Sequence, residues 1–416
     1  MSTVFFPSEL HGTVQAPASK SHMQRLLICA ALSDTPSVIA CGELCGDALT
    51  MCSCLNALGA AIAPTDGGLS VEPVKTAPEH PVLYCGESGA ALRFLLPLVC
   101  ALGCGAVIKL GERLAERPLA PLVKELSRCG ALIEYTAHDT LRVAGSLREN
   151  EFFIPADHSS QYASGLLLAC AALGGGTVNI TTEVSSAPYI DMTLSVLRSC
   201  GVRISREGKR ICVSGKPQVS GVYPCEGDWS SAAFWLCAGA VGKQPVTVTG
   251  LRRDSVQGDR RVCEILRGFG AELSVTEDAV TAYPSKLRGT DIDVKDVPDL
   301  TPALSLVCAC AGGVSRIKNA ERLRTKESDR IASVCGLISS LGGSAEYKDG
   351  AVIIRGAYLK GGRVCTCGDH RIAMAAAVAS NVCTEPIFAD DFEVYEKSYP
   401  GFARELELLG GRYECV

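Results

Sequence analysis

Positively charged side chains recur where the sequence predicts the first turn of a helix. Lys20 and Arg25 lie in one such segment, and Arg371 lies in the segment Asp369-His370-Arg371. A cation at a helix N-terminus opposes the macrodipole at a cost of about 0.3–1 kcal/mol, and the free N–H groups there favour an anion. The pattern predicts that bound anions compensate these cations. The alternative is that Ser19 or Ser21 caps the helix and Lys20 is solvated.

The densest charged segment is 322–330, Arg-Leu-Arg-Thr-Lys-Glu-Ser-Asp-Arg. Lys326 and Arg330 are four residues apart, which predicts that they share one face of a helix and repel each other. Glu327 within this segment and Asp299, which follows Pro298 at a predicted helix start, are the carboxylates available for proton transfer. The alternative for Asp299 is a helix cap.

Small and hydroxyl-bearing residues open other predicted helices. Ser159-Ser160-Gln161 and Ser185-Ser186 can cap a helix or hold phosphate oxygens. The glycines of segment 86–93 let a ligand approach the backbone, or let helices pack closely.

The cations occupy equivalent ends of a repeated unit. If those ends converge, two cations 4 Å apart repel by roughly 4 kcal/mol at an effective dielectric of 20, so the site needs bound anions. This predicts small polyanionic substrates. The cations are Lys20, Arg25, Arg117, Lys326, Arg330, Arg371 and Lys397.

The repeat itself is the strongest architectural signal. A helical run ending in glycine, followed by a strand, a turn and usually a second strand, recurs about every 70 residues. The marker glycines are Gly59, Gly130, Gly201, Gly270, Gly342 and Gly410. We predict an α/β protein of six β-α-β-α-β-β repeats, three per domain. One helix of each repeat is apolar on every face and therefore buried inside the sheets. These helices are predicted to begin at Ser19, Gly86, Asp157, Gly227, Pro298 and Gly368.

The chain ends are predicted to share one domain. The sixth repeat stops at Val416 without its last strand, whereas residues 3–15 have strand character and precede the first repeat. We therefore predict that the N-terminus closes the sixth repeat. The predicted domains are 19–225, and 1–18 with 226–416.

Composition excludes several classes of protein. The net charge of −5 does not favour nucleic-acid binding. We see no signal peptide and no apolar run long enough to span a membrane. The 22 cysteines form no Cys-x-x-Cys pair and read as small buried hydrophobes in a reducing cytoplasm. No metal-ligand cluster is evident, so we expect neither a metal nor an organic cofactor.

Eight segments in order resemble the EPSP synthase family of enolpyruvyl transferases over essentially the whole chain. They are Ser19-Lys20-Ser21 with Arg25, segment 86–93, segment 115–118, Ser159-Ser160-Gln161, segment 188–191, segment 326–330, Asp369-His370-Arg371 and segment 397–400. The resemblance implies a two-domain inside-out α/β barrel that closes around shikimate 3-phosphate and phosphoenolpyruvate. It implies transfer of the enolpyruvyl group to the 5-hydroxyl with release of phosphate, by a cytoplasmic monomer of the shikimate pathway that glyphosate inhibits.

The resemblance also implies residue roles. Asp299 would accept the hydroxyl proton, Glu327 would protonate the methylene carbon, and Lys20 would contact both substrates. Shikimate 3-phosphate would bind Lys20, Ser21, Arg25, Ser159, Ser160, Gln161, Ser186, Asp299 and Lys326. Phosphoenolpyruvate would bind Lys20, Gly89, Arg117, Gln161, Arg330, Arg371 and Lys397.

The chain departs from the family pattern at several positions. Ala90 and Ala91 lack the hydroxyl that usually follows the pocket glycine, which puts affinity for phosphoenolpyruvate and glyphosate in doubt. Ala18, Gln24 and Arg322 also stand where other residues are common.

Three other functions are alternatives to this one. An enolpyruvyl transferase for UDP-N-acetylglucosamine would need Lys-Asn at positions 20–21 and a reactive loop cysteine, which Cys104 and Cys129 do not match. A non-catalytic paralogue that binds phosphorylated metabolites would be expected to lack Asp299, Lys326 or Glu327. An RNA cyclase would need a histidine-centred nucleotidylation site.

Overall fold

The computed structural model describes residues 2–416, which form two compact units. Unit N comprises residues 18–225, and unit C comprises the chain up to residue 17 together with 226–416. The chain enters unit N one residue earlier than the predicted boundary and leaves it after residue 225, where the predicted domain ends.

The strands, numbered in chain order, are β1 (Ser2–Phe6), β2 (Gly12–Gln15), β3 (Ser37–Ala40), β4 (Ala61–Thr65), β5 (Gly68–Glu72), β6 (Val82–Gly86), β7 (Ala106–Leu110), β8 (Leu132–Ala137), β9 (Thr140–Ala144), β10 (Glu151–Ile154), β11 (Gly175–Ile180), β12 (Arg203–Glu207), β13 (Arg210–Ser214), β14 (Gly221–Pro224), β15 (Val246–Thr249), β16 (Glu272–Val275), β17 (Ala279–Tyr283), β18 (Asp291–Asp293), β19 (Val314–Lys318), β20 (Ser344–Lys348), β21 (Ala351–Arg355), β22 (Gly362–Val364), β23 (Ile387–Asp390) and β24 (Arg412–Cys415).

The α-helices are α1 (Lys20–Ala31), α2 (Gly46–Ala57), α3 (Gly89–Leu102), α4 (Glu112–Glu116), α5 (Ala120–Arg128), α6 (Ser160–Ala172), α7 (Ala187–Ser199), α8 (Trp229–Val241), α9 (Val262–Gly268), α10 (Thr301–Cys310), α11 (Arg330–Ser340), α12 (His370–Ala379) and α13 (Phe402–Leu408). Short 3₁₀ turns span Gly258–Arg261, Pro298–Leu300, Glu321–Thr325 and Phe392–Lys397.

Each unit contains three four-stranded sheets of one design. Unit N has the orders β14-β3-β5-β4, β6-β7-β9-β8 and β10-β11-β13-β12. Unit C has β2-β15-β17-β16, β18-β19-β21-β20 and β22-β23-β1-β24. In every sheet the first two strands are parallel and the remaining neighbours are antiparallel. The predicted β-α-β-α-β-β repeat is confirmed.

The N-terminal strands complete repeats at the other end of the chain. β1 lies antiparallel between β23 and β24, in the place of the strand that the sixth repeat lacks. β2 pairs in parallel with β15 in unit C, and β14 pairs in parallel with β3 in unit N. Both ends of the chain therefore belong to unit C, as the missing strand predicts.

Six helices form the interior of the units. In α8 every residue from Trp229 to Ala240 except Ser230 is buried, and α1, α3, α6, α10 and α12 are buried on nearly all sides. The sheets cover them with one face, as the alternation in β7 shows: Ala106, Ile108 and Leu110 are buried and the residues between them are not. Each unit has its own hydrophobic core. The helices lie inside the sheets, which confirms the inside-out α/β fold class.

The starts predicted for these helices are one to three residues too early. The structure places them at Lys20, Gly89, Ser160, Trp229, Thr301 and His370. The small polar residues in front are extended N-caps and loop residues, and Gly86 ends strand β6. Such residues favour the cap because their side chains compete for backbone hydrogen bonds.

Close helix packing explains one glycine inside unit N. A Cβ at Gly165 of α6 would lie 2.1 Å from the carbonyl oxygen of Arg93 in α3. The absent side chain thus allows the two helices to touch along their backbones, and this contact fixes their N-terminal ends relative to each other.

The cysteines behave mainly as small hydrophobes. All 22 are free thiols, and only Cys365 and Cys415 are exposed. For those two, the expectation that the cysteines are small buried hydrophobes is wrong. Among residues 2–416, no helix is both long and apolar enough to cross a membrane.

The β1 strand supplies the first testable prediction. Phe5 is fully buried, and its ring meets that of Phe392 edge-to-face with centroids 4.8 Å apart. Phe5→Ala should therefore lower the free energy of unfolding by about 3–5 kcal/mol, measured by urea denaturation. Tyr358→Ala is the control, since that side chain is 97% exposed. Equal effects of the two substitutions would contradict a structural role for the N-terminal strand.

Candidate active site

In unit C, three elements present carboxylates to one buried guanidinium, that of Arg330. Its Nη1 donates to Oδ1 of Asp299 at 2.7 Å, its Nη2 to Oε2 of Glu327 at 2.8 Å, and its Nε to Oδ2 of Asp369 at 2.8 Å. Arg330 and Asp369 are fully buried. Burial alone would lower the pKa of Arg330, but Asp369, Glu327 and Asp299 raise it well above its ordinary value. The guanidinium is therefore always charged.

Two further cations surround Asp299. Lys326 Nζ lies 3.3 Å from Asp299 Oδ1, and Arg371 Nη2 lies 3.8 Å from Oδ2. Arg371 Nη1 also donates to the Asp299 backbone carbonyl at 3.3 Å. We call Asp299, Lys326, Glu327, Arg330, Asp369 and Arg371 the C cluster.

The surrounding cations keep Asp299 ionised. Burial would raise the pKa of its carboxyl, but Lys326, Arg371 and Arg330 together hold that pKa well below its ordinary value. The side chain is still 17% exposed, so a ligand can reach it. Asp299 is thus a charged oxygen base at the start of a buried helix.

Lys326 responds to burial in the opposite sense. Burial lowers the pKa of its amine, and the neighbouring Arg330 adds to this, while Asp299 opposes it. The Lys326 amine therefore holds its proton less tightly than an ordinary lysine does. A bound phosphate or carboxylate would stabilise its charged form.

The structure corrects how Lys326 and Arg330 come together. They do not share a helix face, because the 3₁₀ turn ends at Thr325 and α11 begins only at Arg330, with Asp329 as its N-cap. The Asp329 carboxylate accepts from the N–H groups of Ile331 and Ala332, which ends the loop and starts the helix. The two cations meet through Asp299 instead of through helical spacing.

In unit N, Lys20 is the first residue of α1 and is already paired. Its Nζ lies 2.9 Å from Oδ2 of Asp47, in the first turn of α2. Gln24, one turn further along α1, donates to the Asp47 backbone carbonyl at 3.1 Å. The glutamine therefore positions the start of α2, which holds the partner of Lys20.

Arg25 is buried among neutral acceptors. Its Nε donates to Oγ1 of Thr193 at 2.7 Å and its Nη2 to the Tyr189 carbonyl at 3.1 Å, while its guanidinium lies 4.9 Å from the ring centre of Phe94. Burial lowers the pKa of Arg25 to about 10, which still leaves it charged at neutral pH. Its Nη1 also donates to the Ser21 carbonyl at 2.6 Å.

Two arginines surround the N-terminus of α3. A Cβ at Gly89 would lie 2.7 Å from Nη1 of Arg93 and 2.9 Å from Nη1 of Arg117, so a side chain here would displace both guanidinium groups. Arg93 Nη1 donates to Oε1 of Gln161 at 2.8 Å, which links this end of α3 to that of α6. Cationic groups at a helix N-terminus make an anion site.

The serines occupy helix starts as predicted. Ser159 is the N-cap of α6, and its Oγ accepts from the Gln161 N–H at 3.3 Å, while Ser160 is buried in the first turn. Ser186 is the N-cap of α7 with φ 58°, a left-handed conformation that is strained for serine. Such strain is concentrated at functional positions in proteins.

The remaining predicted positions are more loosely placed. Lys397 ends the 3₁₀ turn Phe392–Lys397 and is half-buried. Ala90 is half-buried at the start of α3, whereas Ala91 is buried in the core. The Ser88 hydroxyl just before them is buried and makes no hydrogen bond to the described residues.

A cavity of about 900 Å³ in unit C lies elsewhere. It is lined by Val241, Cys310 and Cys383, at or after the C-terminal ends of α8, α10 and α12. The C cluster lies at the opposite, N-terminal ends of α10 and α12. Since α10 spans ten residues, about 15 Å separates its two ends.

Sequence reasoning missed the partners that position the cations. Asp47 lies in a segment with no motif, and Thr193 lies inside a helix. Asp369 and Arg93 belong to segments that carry the family resemblance, but the resemblance implies no role for them. The position of Asp369 just before a predicted helix is a signal that could have identified it as a cap. In the structure it caps α12 by accepting from the Arg371 N–H at 3.0 Å.

The ion network of Arg330 generates a second prediction. Arg330→Met should lower the free energy of unfolding by about 3–5 kcal/mol at pH 7, because it leaves buried carboxylates unpaired. The loss should shrink between pH 7 and pH 5, since carboxylates without their cation take up protons more readily. Urea denaturation at both pH values measures this.

The matched control is Arg324→Met. Arg324 pairs with Asp329 at 2.8 Å but is 48% exposed, so its loss should cost less than about 1 kcal/mol. Equal losses in the two variants would refute the view that the Arg330 network holds the helix starts together.

Comparison with known proteins shows which family this sequence matches. The family model for EPSP synthase (3-phosphoshikimate 1-carboxyvinyltransferase) matches residues 5–406. The chain is 37% identical to the 3-phosphoshikimate 1-carboxyvinyltransferase of Clostridium kluyveri over 98% of this chain and 97% of that protein. It is 35% identical to that of Brachyspira hyodysenteriae over 99% of each.

The fold comparison is equally complete. A solved structure of EPSP synthase from Acinetobacter baumannii superposes with a TM-score of 0.83 and covers 100% of both chains, at 24% identity. At that identity the likeness concerns the fold alone, whereas the family match and the relatives above rest on sequence. The chain belongs to the EPSP synthase (3-phosphoshikimate 1-carboxyvinyltransferase) family.

Proposed function

We propose that this protein transfers the enolpyruvyl group of phosphoenolpyruvate to the 5-hydroxyl of shikimate 3-phosphate, a step of aromatic amino acid biosynthesis. The observation that carries the proposal is the ionised Asp299 carboxylate, held at a buried helix start among Lys326, Arg330 and Arg371. The family membership of the chain supports the identity of the substrates.

The reaction makes two demands on protons. The hydroxyl oxygen forms a bond to C2 of phosphoenolpyruvate and loses its proton, while the methylene carbon C3 gains one. The bond from C2 to the phosphate oxygen then breaks, C3 gives its proton back, and phosphate leaves. A base and an acid are therefore needed at the same time.

Asp299 fits the base and Glu327 the acid. An ionised Asp299 accepts the hydroxyl proton. Its proton affinity rises when substrate anions pair with Lys326 and Arg371, because the two cations then stabilise its carboxylate less. Glu327 is ion-paired to Arg330 at 2.8 Å, which favours its carboxylate form. It must therefore acquire its proton once a bound anion competes for Arg330.

The residues of unit N fit the anionic groups of the substrates. Arg117 and Gln161 at the starts of α3 and α6 would hold the phosphoenolpyruvate anion together with Gly89. Lys20, Ser21, Arg25, Ser159, Ser160 and Ser186 would hold shikimate 3-phosphate. In unit C, Arg330, Arg371 and Lys397 would bind phosphoenolpyruvate, with charge stabilisation that makes a metal unnecessary.

The thiols argue against a cysteine-dependent enolpyruvyl transferase. Burial raises the pKa of Cys129 to about 11, and burial also raises that of Cys104. The thiolate is the reactive form of cysteine, so neither side chain is prepared to attack a substrate. The 22 free thiols support a reducing compartment, and we propose the cytoplasm.

Substitution of the two carboxylates tests the proton chemistry. Asp299→Asn and Glu327→Gln should each lower turnover by about 10²–10⁴-fold, the usual contribution of a general acid or base. Their losses should combine less than multiplicatively if both groups act on one transition state. Turnover is measured as phosphate released from phosphoenolpyruvate in the presence of shikimate 3-phosphate.

The control for both is Asp254→Asn, because Asp254 is 74% exposed and pairs only at the surface with Arg252. Calorimetry should show that the Glu327 variant still binds shikimate 3-phosphate. Parent-like turnover in either variant would remove that residue from the mechanism and leave Lys20 or Lys397 as the proton carrier to test next.

Ligand-dependent stability gives a further prediction. We propose that shikimate 3-phosphate stabilises the folded protein, because its phosphate neutralises cations of the site. Binding to the folded state alone should raise the thermal midpoint as the ligand concentration increases, by about 2.7 kcal/mol of stability at one hundred times the dissociation constant. Shikimate, which lacks the phosphate, is the control. An unchanged midpoint at saturation would contradict binding of the phosphate by these cations.

A further inference from the structure

A further carboxylate lies buried beside the C cluster and takes no part in the steps above. Asp259 belongs to the 3₁₀ turn Gly258–Arg261 and is 3% exposed. Its Oδ2 accepts a short hydrogen bond from the hydroxyl of Ser230, in the first turn of α8. Its Oδ1 is buried and makes no hydrogen bond to the described residues.

An ionised carboxylate in that position would destabilise the folded protein. A buried charged oxygen without a hydrogen bond costs several kcal/mol, which a proton on the group avoids. The unpartnered Oδ1 is therefore the natural place for a proton, and a protonated Asp259 could donate a hydrogen bond from it to an acceptor that enters the site.

The charges around Asp259 act in the same direction. Burial is the main cause that raises its pKa to about 7, and Asp299 and Asp228 raise it further, while Arg371 and the Ser230 hydroxyl lower it. Asp299 and Asp259 are thus two neighbouring carboxylates whose environments drive them to opposite protonation states. Such pairs divide acid and base roles in many active sites.

We propose that Asp259 is a positioning residue that is uncharged in the working enzyme. Because it carries no charge, it does not compete with Asp299 and the incoming anion for the guanidinium of Arg371. When Asp259 ionises, a second negative charge enters the neighbourhood of Arg371, which weakens the attraction of that guanidinium for phosphoenolpyruvate. The inference rests on the proposed function for its effect on turnover, but the protonation state of Asp259 is measurable without substrate.

Three arrangements of the charge follow from this proposal. Below neutral pH, Asp259 is neutral and, of these two carboxylates, Asp299 is the ionised one. Above neutral pH both are ionised and phosphoenolpyruvate meets a less positive pocket. If Asp299 takes the hydroxyl proton, the Coulomb effect that holds the proton on Asp259 disappears, so the pair titrates as one system.

The direct test is infrared difference spectroscopy of the ligand-free protein between pH 5.5 and pH 8.5. A protonated-carboxyl band should be present at the low end, decline through about pH 7, and be missing from Asp259→Asn. Ser230→Ala removes the hydrogen bond that stabilises the charged form, so in this variant the decline should move upward by about one pH unit. Asp254→Asn should leave the band unchanged.

The kinetic test is the pH profile of kcat/KM for phosphoenolpyruvate. Asn is a neutral isostere of protonated Asp, so the ratio of Asp259→Asn to the parent should rise by about tenfold between pH 6 and pH 8.5, through KM more than kcat. Titration of the substrate itself cancels in this ratio. A purely structural role would change the ratio by the same factor at every pH.

Two results would overturn the proposal. One is the absence of the titrating band from the parent, which would mean that Asp259 is ionised throughout. The other is a pH-independent ratio in the kinetic comparison. If Asp259→Asn does not fold, the band of the parent and its shift in Ser230→Ala still decide the question. If no enolpyruvyl transfer is found at all, the infrared result stands on its own and separates failure of this inference from failure of the proposed function.

Discussion

The buried guanidinium of Arg330 is the constraint on which unit C depends. It satisfies carboxylates from the starts of α10 and α12 and from the loop before α11, with distances of 2.7–2.8 Å. Burying one cation and three carboxylates is favourable only if their geometry is maintained. The helix starts must therefore remain in register, and the surrounding sheets and apolar helix interiors keep them there.

Two buried arginines of unit N and the buried Arg330 of unit C have different hydrogen-bond partners. In unit N, Arg25 and Arg93 donate to a hydroxyl, a side-chain amide and backbone carbonyls. In unit C, Arg330 donates to three carboxylates, and Asp299 lies between three cations. Unit C holds carboxylates whose protonation changes when an anion alters the balance of charge around them.

Much of this arrangement could be predicted from the sequence. The recurrence of glycine-ended helices and hairpins predicts six repeats, and the missing last strand predicts that β1 pairs with β23 and β24, because a repeat must bury the same faces each time. The cations and hydroxyls of the candidate site were found because they are unusual at the starts of apolar helices. The identity of the substrates came from the family resemblance and not from these residues alone.

The rest needed three-dimensional structure. Asp47 and Thr193 lie far along the chain from the residues that they hold, and nothing in their local sequence indicates this. Lys326 and Arg330 were predicted on one helical face, but a cap at Asp329 separates them. Asp259 follows Gly258 in a segment without a motif, and its burial depends on how the turn Gly258–Arg261 packs against α8. Long-range contacts of this kind decide which carboxylate is ionised.

The central claim is that this chain couples the hydroxyl of shikimate 3-phosphate to C2 of phosphoenolpyruvate. The most direct measurement is phosphorus NMR of a reaction containing purified protein and both substrates, with each substrate omitted in turn. Inorganic phosphate should appear only when both are present. One new phosphorylated product should appear in equal amount, with the shikimate phosphate ester intact. Release of phosphate without shikimate 3-phosphate, or binding of both substrates with no product formed, would contradict this function.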